Sequence, residues 1–411
     1  MKPRIAFVIQ RYGEKVLGGA EQYCKMIAES LSANFDIDVI TTTAQDSITW
    51  KNFYPTGKER INDVTVIRFP VDKRRNIKSF NRLTRRLMFS GSSQSIEDGE
   101  KWLHAQGPIS EKLFSYLEKH SEDYEYFFFF TALYPIAYYG IQKVRHKAIL
   151  IPLAHDEPVM DFPVFRKLFH LPIYMIFSTP EERDFIYSSF RNYHIRSSVI
   201  GSGVQPGLTS SGQNKSASYS FINSFSFPFD IGDKFVLYAG RIDPGKGIYE
   251  LIDYFDRYIK NNGKKIKLIV LGSGHSLDTG GNPSIIQAGF VEDTVKNFLF
   301  EHAEAVINPS YFESFSLVLL EAWHYKTPVL VNGRCEVLKG HVKRSGGGLC
   351  YHNYEEFKTN LSLILENKKM ADRFAVNGRK YYLANYSWNI IRKKYLSVID
   401  YLNRNSFLLS G

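Results

Sequence analysis

The sequence predicts an α/β protein built as two Rossmann-like, doubly wound parallel-sheet domains that face a central cleft. Three observations predict it. Short apolar runs alternate with helical patterns over most of the 411 residues, as in a parallel sheet with helices on both faces. A polar, turn-rich stretch, Pro206-Gly207 and then Thr209-Ser210-Ser211-Gly212-Gln213-Asn214, interrupts that alternation near the middle. Beyond it the order strand, glycine loop, helix starts again.

The elements follow in order. Ile5-Ala6-Phe7-Val8-Ile9 reads as a buried strand, Gly18-Gly19 as a turn, and the stretch with Ile27, Ala28 and Leu31 as a helix. Further strands are expected at 37–41, 64–69, 126–130, 148–153, 173–178 and 197–201. In the second half the expected strands are 234–239, 267–271, 285–290, 303–308 and 327–331. Between the first two lies a helix over 248–259, whose Ile248, Leu251, Ile252, Phe255 and Ile259 form one stripe. The last third reads as helical, ending at 388–402. The expected domains are 1–205 and 233–385, each Rossmann-like, joined by a linker at 206–232. The terminal helix at 386–411 is expected to pack back on the first domain.

Composition removes several classes. With 44% hydrophobic and 23% charged residues the chain is neither disordered nor fibrous. Its three cysteines, Cys24, Cys335 and Cys350, are too scattered for a disulfide framework or a zinc site and suit a reducing, cytoplasmic location. The opening MKPRIAFVIQ is followed at once by Arg11 and Tyr12, so no signal peptide is expected. The longest run without charge, 126–142, contains Pro135 and Gly140 and is too short to span a membrane. A net charge of +10 makes anionic partners the first suspects: phosphorylated ligands, acidic lipid or nucleic acid.

Four segments could carry chemistry. In PSYFESFSLVLLEA (309–322) a strand ends near Ser310 and a helix starts near Ser316 or Leu317, so free N–H groups at the helix start offer an anion site. Glu313 precedes that start and Glu321 lies one to two turns inside. Read alone, both are equally consistent with ordinary surface acids. In YAGRIDPGKG (238–247), Arg241 leaves a strand end and Lys246 follows five residues on, a fork and a point charge suited to phosphate oxygens. The full Walker motif, which needs Ser or Thr where Gly247 stands, is absent. So is G-x-G-x-x-G at Gly18-Gly19, which counts against a nicotinamide or flavin enzyme. His155 and Asp156 sit at the end of an apolar strand, where ligands gather in such sheets.

These segments together resemble family 4 retaining glycosyltransferases of the GT-B fold. Glu313-x7-Glu321 is similar to their E-x7-E signature. GGAEQY at the start, His155-Asp156, the VIGSGV ending the first half, YAGRIDPGKG, the GSG at 272–274 and GFVED at 289–293 keep the family's order over roughly residues 4–400. The resemblance implies transfer of a hexose-type sugar, with retained anomeric configuration, from a nucleotide-diphosphate sugar to a glycan or polyprenyl-linked acceptor in surface polysaccharide synthesis, such as lipopolysaccharide O-antigen or capsule. It implies that the domain at 1–205 takes the acceptor and that at 233–385 the nucleotide sugar, with Glu321 binding the ribose and Glu313 the donor sugar. Arg241 and Lys246 would clamp the diphosphate together with the amides of Ser316, Leu317 and Val318. The base would lie along Phe290 and Val291. Gly18 and Gly19 would let the first loop close, and His155, with Asp156, would face the sugar or acceptor. No cofactor is implied beyond the donor, and no metal.

The chain departs from the family at Ser314 and Ser316, where glycines are usual. It departs again at Lys326, in place of a helix-ending glycine, and before Cys335-Glu336, where a Gly-Gly pair is missing. A nucleotide-sugar epimerase or hydrolase on the same fold is the alternative. A nucleic-acid binder rests only on the charge, since no recognition motif accompanies it. Between residues 68 and 86 eight basic residues, Arg68, Lys73, Arg74, Arg75, Lys78, Arg82, Arg85 and Arg86, face one acid, Asp72. With Phe80, Leu83, Leu87, Met88 and Phe89 the later part reads as a basic amphipathic helix for an anionic membrane surface, or as a solvated charged face. The four phenylalanines at 127–130 are expected in the core.

Overall fold

The first apolar run becomes β1 (Arg4–Val8), the central strand of the first of two sheets. The computed structural model describes residues 2–16, 18–90, 94–204, 234–263 and 265–405; the expected linker at 206–232 lies outside the described residues. The chain divides into two units, Met1–Ser202 with Ile391–Gly411, and Gly203–Ile390.

In the first unit β1 is followed by α1 (Gly19–Leu31), β2 (Asp36–Thr42), β3 (Gly57–Ile61), β4 (Val64–Phe69), α2 (Ile77–Ser90), α3 (Ile96–Gln106), α4 (Glu111–Lys119) and β5 (Phe127–Phe130). Then come α5 (Pro135–Lys143), β6 (Ala148–Ile151), α6 (Pro163–Leu168), β7 (Tyr174–Phe177), α7 (Pro180–Phe190) and β8 (Arg196–Val199). The strand order is β3-β4-β2-β1-β5-β6-β7-β8. Every pairing is parallel except β3 with β4. All four phenylalanines of β5 are buried, as a strand covered on both faces requires.

The second unit holds β9 (Phe235–Ala239), α8 (Ile248–Asn262), β10 (Lys267–Leu271), β11 (Ile285–Gly289), α9 (Asp293–His302), β12 (Ala305–Asn308) and α10 (Leu317–His324). It continues with β13 (Val329–Asn332), α11 (Glu336–Ser345), β14 (Gly348–Tyr351), α12 (Tyr354–Glu366) and α13 (Lys368–Asn385). Its sheet runs β11-β10-β9-β12-β13-β14, all parallel. The order reverses direction beside β9, so the loops after β9 and β12 diverge from one switch point. A last helix, α14 (Trp388–Arg404), returns to the first unit, where Tyr395 is fully buried and Tyr126 Oη donates to Asn403 Oδ1 at 2.7 Å.

Several expectations are corrected. β3 and β14 were not expected: β3 is polar and exposed, and β14 is introduced by three glycines. Of the two ends expected for the strand before the 309–316 loop, Asn308 and Ser310, β12 takes the first, and the Asn308 side chain accepts from the Ser310 N–H. Two of the basic residues assigned to a membrane face are structural. Arg68 is buried, ion-paired with Glu59 of β3 and stacked over Tyr54. Arg75 donates to the carbonyls of Gln106 and Ser47 and lies over the Trp50 ring. The apolar stripe of α2, Phe80, Leu83 and Leu87, packs on the first unit's core, so it is not a membrane-inserting face. Among the described residues no helix is long and apolar enough to cross a membrane.

Candidate active site

Three loops of the second unit are drawn together by close packing. After β9 the chain passes Arg241 and enters a short turn, Pro244–Lys246, where the Asp243 carboxylate accepts from the Lys246 N–H. Gly247 follows at φ +67°, and a Cβ there would lie 2.1 Å from the Pro309 carbonyl oxygen. Only glycine fits both the backbone and the space. This approach sets Lys246 against the loop after β12, and Lys246 Nζ donates to Glu313 Oε1 at 2.8 Å. The Lys246 and Glu313 side chains are 23% and 15% exposed. Burial works to raise the Glu313 pKa, but the Lys246 ammonium and the side chains of Ser310 and Asn308 outweigh it, and the net shift is downward. Arg241 is 74% exposed with Asp243 3.6 Å away, an exposed cation beside the half-buried ammonium of Lys246.

A bracket holds these loops from behind. Arg334, in the loop after β13, donates to both oxygens of Glu250 on α8, and Tyr311 Oη donates to Glu250 Oε2. Asn332 accepts from Arg334 Nε and donates to the Pro309 carbonyl at 3.1 Å. Ser316 caps α10 in the left-handed region, φ +73°, a backbone that glycine adopts with less strain. Its Oγ accepts from Asn308 Nδ2 at 3.0 Å and does not cap the helix, so it leaves the N–H groups of the first turn, at Leu317 and Val318, for another acceptor. Lys326, where a glycine was expected by resemblance, is also left-handed at φ +62°. Glu336 is paired on its own helix with Lys339.

Glu321 lies on α10 and accepts from Lys296 Nζ of α9 at 3.0 Å. Lys296 belongs to no motif; its only sequence signal is the i+3 spacing from Asp293. Phe290, beyond β11, is 72% exposed, and Val291 is half-buried.

The remaining expected residues are in the first unit. Gly18 is crowded, since a Cβ there would meet Glu21 Oε2 at 1.9 Å, whereas Gly19 opens α1 with free space around it. Glu21 is buried and accepts from Gln10 and Arg11. His155 and Asp156 follow β6 in a loop that begins with Leu153 at φ +50°. A fully buried carboxylate, Glu182 of α7, anchors this loop by accepting from the N–H groups of Ala154 at 2.8 Å and Ser178 at 2.6 Å. His155 Nε2 is 3.7 Å from Glu157 Oε1, and burial pushes the Glu157 pKa up to about 7. Asp156 is exposed. Arg241, Lys246 and Glu313 therefore form one group, with Glu321, Leu317 and Val318 on the adjoining helix. Gly18, Gly19, His155 and Asp156 are positioned by separate devices.

Residues 221–381 match the family model of glycosyl transferases group 1. That segment contains every expected donor-site residue of the second unit. An uncharacterized glycosyltransferase of Methanocaldococcus jannaschii is 27% identical over 235 residues, 54% of this chain and 55% of that protein. A capsular polysaccharide biosynthesis glycosyltransferase of Staphylococcus aureus, CapM, is 26% identical over 172 residues, 39% of this chain and 44% of the other. The chain thus spans about half the length of the curated relatives it matches. Among solved structures, Anabaena HepE in complex with UDP and glucose matches with a TM-score of 0.67 at 15% identity, over 97% of this chain and 100% of that one. At this identity the likeness shows the fold, two Rossmann-like parallel-sheet units of the GT-B class.

Proposed function

We propose that the protein is a retaining glycosyltransferase that moves a sugar from a nucleotide-diphosphate sugar to a glycan or polyprenyl-linked acceptor in surface polysaccharide synthesis. The observation that carries this reading is the half-buried Lys246–Glu313 pair set beside exposed Arg241 and the start of α10, which its N-cap side chain does not cap. Two cations and a helix start complement a diphosphate, and they bind it more tightly as negative charge grows on the departing oxygen. Lys246 has three N–H donors and can hold Glu313 while a second serves a phosphate oxygen. Glu313, kept ionised, is an acceptor for donor-sugar hydroxyls, and Glu321 for ribose hydroxyls. Phe290 and Val291 would flank the base. In front-face transfer the C1–O bond to the diphosphate breaks as the acceptor oxygen bonds C1 on the same face. The acceptor proton passes to the leaving phosphate oxygen, and no metal is called for. His155 and Asp156, with the Gly18-Gly19 loop, would serve sugar and acceptor.

The similarity to named glycosyltransferases and the fold shared with a UDP-binding protein support this reading. A thermal-shift panel of UDP, GDP, ADP and their sugars tests it, because a bound ligand raises the melting temperature. No shift with any of them would refute the donor site. Turnover of the stabilising donor only when an acceptor is supplied would separate transfer from epimerisation or hydrolysis.

We also propose a peripheral seat on the anionic inner leaflet, through the outward face of α2 and the loop before it. Lys73, Arg74, Lys78, Arg82 and Arg85 are exposed and form no ion pair among the described residues, and Phe89 is 89% exposed. Each such cation near an anionic surface contributes ~1 kcal/mol. Flotation with anionic vesicles, lost in high salt and absent with neutral ones, is the expected result; equal lack of binding to both refutes it.

A further inference from the structure

The carboxylate of Glu321 does not stand alone. Lys296, one turn into α9, reaches over to α10 and places Nζ 3.0 Å from Glu321 Oε1. The same ammonium lies 3.5 Å from Asp293 Oδ1, but Asp293 is 87% exposed. Solvent screens that second contact, so Glu321 is the dominant partner. The Lys296 and Glu321 side chains are 32% and 22% exposed. Burial disfavours the ammonium, yet the Glu321 charge overrides it and moves the Lys296 pKa upward. The Lys296 ammonium is therefore held in its charged form at neutral pH. Oε1 of the carboxylate is committed to Lys296, leaving Oε2 as an acceptor, and the ammonium has a third N–H beyond its two contacts.

We infer that Lys296 is a positioning and specificity residue of the nucleotide site, fixing Glu321 as a half-engaged carboxylate so that the pair offers one acceptor beside one donor to the vicinal hydroxyls of a ribose. The inference rests on the reading of Glu321 as the ribose-binding acid. One hydroxyl can donate to Oε2 while accepting from Nζ, and its neighbour shares the same acceptor. A 2′-deoxyribose removes one of those partners and leaves part of a half-buried charged pair unsatisfied, the direction in which polar sites reject an analogue. Lys296 also cancels the charge of Glu321. A diphosphate approaching the start of α10 then meets no uncompensated anion on that helix.

Isothermal titration of the full chain tests this, using whichever of UDP, GDP and ADP binds most tightly, and its 2′-deoxy counterpart. The wild type is expected to prefer the ribonucleotide by about tenfold or more, the size of one hydrogen bond to a charged group. Lys296→Met is expected to lose about tenfold in affinity for the ribonucleotide and little for the deoxy form, with the fold retained at a somewhat lower melting temperature. Lys296→Arg is expected to keep most of the preference. Adding Glu321→Gln to Lys296→Met removes the stranded charge and is expected to recover diphosphate affinity but not the preference. A purely structural role would weaken both nucleotides equally. An unchanged preference in Lys296→Met overturns the inference alone. Failure of the wild type to bind any of the three diphosphates overturns the donor-site reading and this inference with it.

Discussion

Replacing Lys246 by Met removes the cation from a pair whose Nζ and Oε1 are 2.8 Å apart. At an effective dielectric of about 20 the attraction at that distance is ~6 kcal/mol, and desolvation of the two groups offsets much of it. The loss that remains comes chiefly from stranding Glu313, which is 15% exposed. Breaking a buried pair by removing one partner costs about 3–5 kcal/mol, and partial exposure lowers this to about 2–3 kcal/mol. For a unit of this size the melting temperature should fall by roughly 5–10 °C. Without Lys246 the main force lowering the Glu313 pKa is gone and burial moves it upward, so the loss of stability relative to wild type should be larger at pH 8 than at pH 6. Adding Glu313→Gln should restore most of the stability. It should not restore turnover, which is expected to drop by ~10²-fold or more in either variant. Calorimetry and nucleoside-diphosphate release measure the two quantities. A Lys246→Met protein that melts within about 1 °C of wild type and turns over at a similar rate would refute the argument.

His341 is fully buried, and its pKa is pushed down to about 3 by burial and by Arg344. Its unfolded value is near 6.5, so the unfolded chain takes up the proton first and stability falls as pH drops below about 6.5. Between pH 7 and 5 this group alone accounts for about 2 kcal/mol. His324, held near 4, acts in the same direction. Melting curves across that window should be flatter for His341→Gln. Gly247→Ala should be severely destabilised and inactive, because the new Cβ meets the Pro309 carbonyl at 2.1 Å and the backbone is left-handed. A well-folded, active Gly247→Ala protein would show that the two loops can separate freely.

Alternation of apolar runs with helical stripes was enough to read two parallel sheets, since buried parallel strands such as β5 announce themselves. The polar edge strand β3 gave no such signal, because its residues are exposed and its pairing depends on β4 rather than on its own hydrophobicity. The basic stretch was misread for a related reason. Arg68 and Arg75 look like surface charge until Glu59, Tyr54, Trp50 and two carbonyls, all distant in sequence, surround them. In the second unit, the loop residues Arg241, Lys246 and Glu313 were legible because each follows a strand end. The supports of that loop group, Glu250 and Arg334, and Lys296, which supports Glu321, come from neighbouring elements and are ordinary helix or loop charges by spacing alone.

The charged run Lys58-Glu59-Arg60 of β3 has one more consequence. The outer strand of a sheet exposes unpaired N–H and C=O groups that can recruit a strand from another molecule. Here any incoming chain would have to lie against three consecutive ionised side chains on an exposed strand. Glu59 is also the counter-ion of Arg68, so the charge that neutralises a buried cation inside the molecule deters sheet extension outside it. One short charged strand thereby ends the eight-stranded sheet at an edge unfavourable to strand addition.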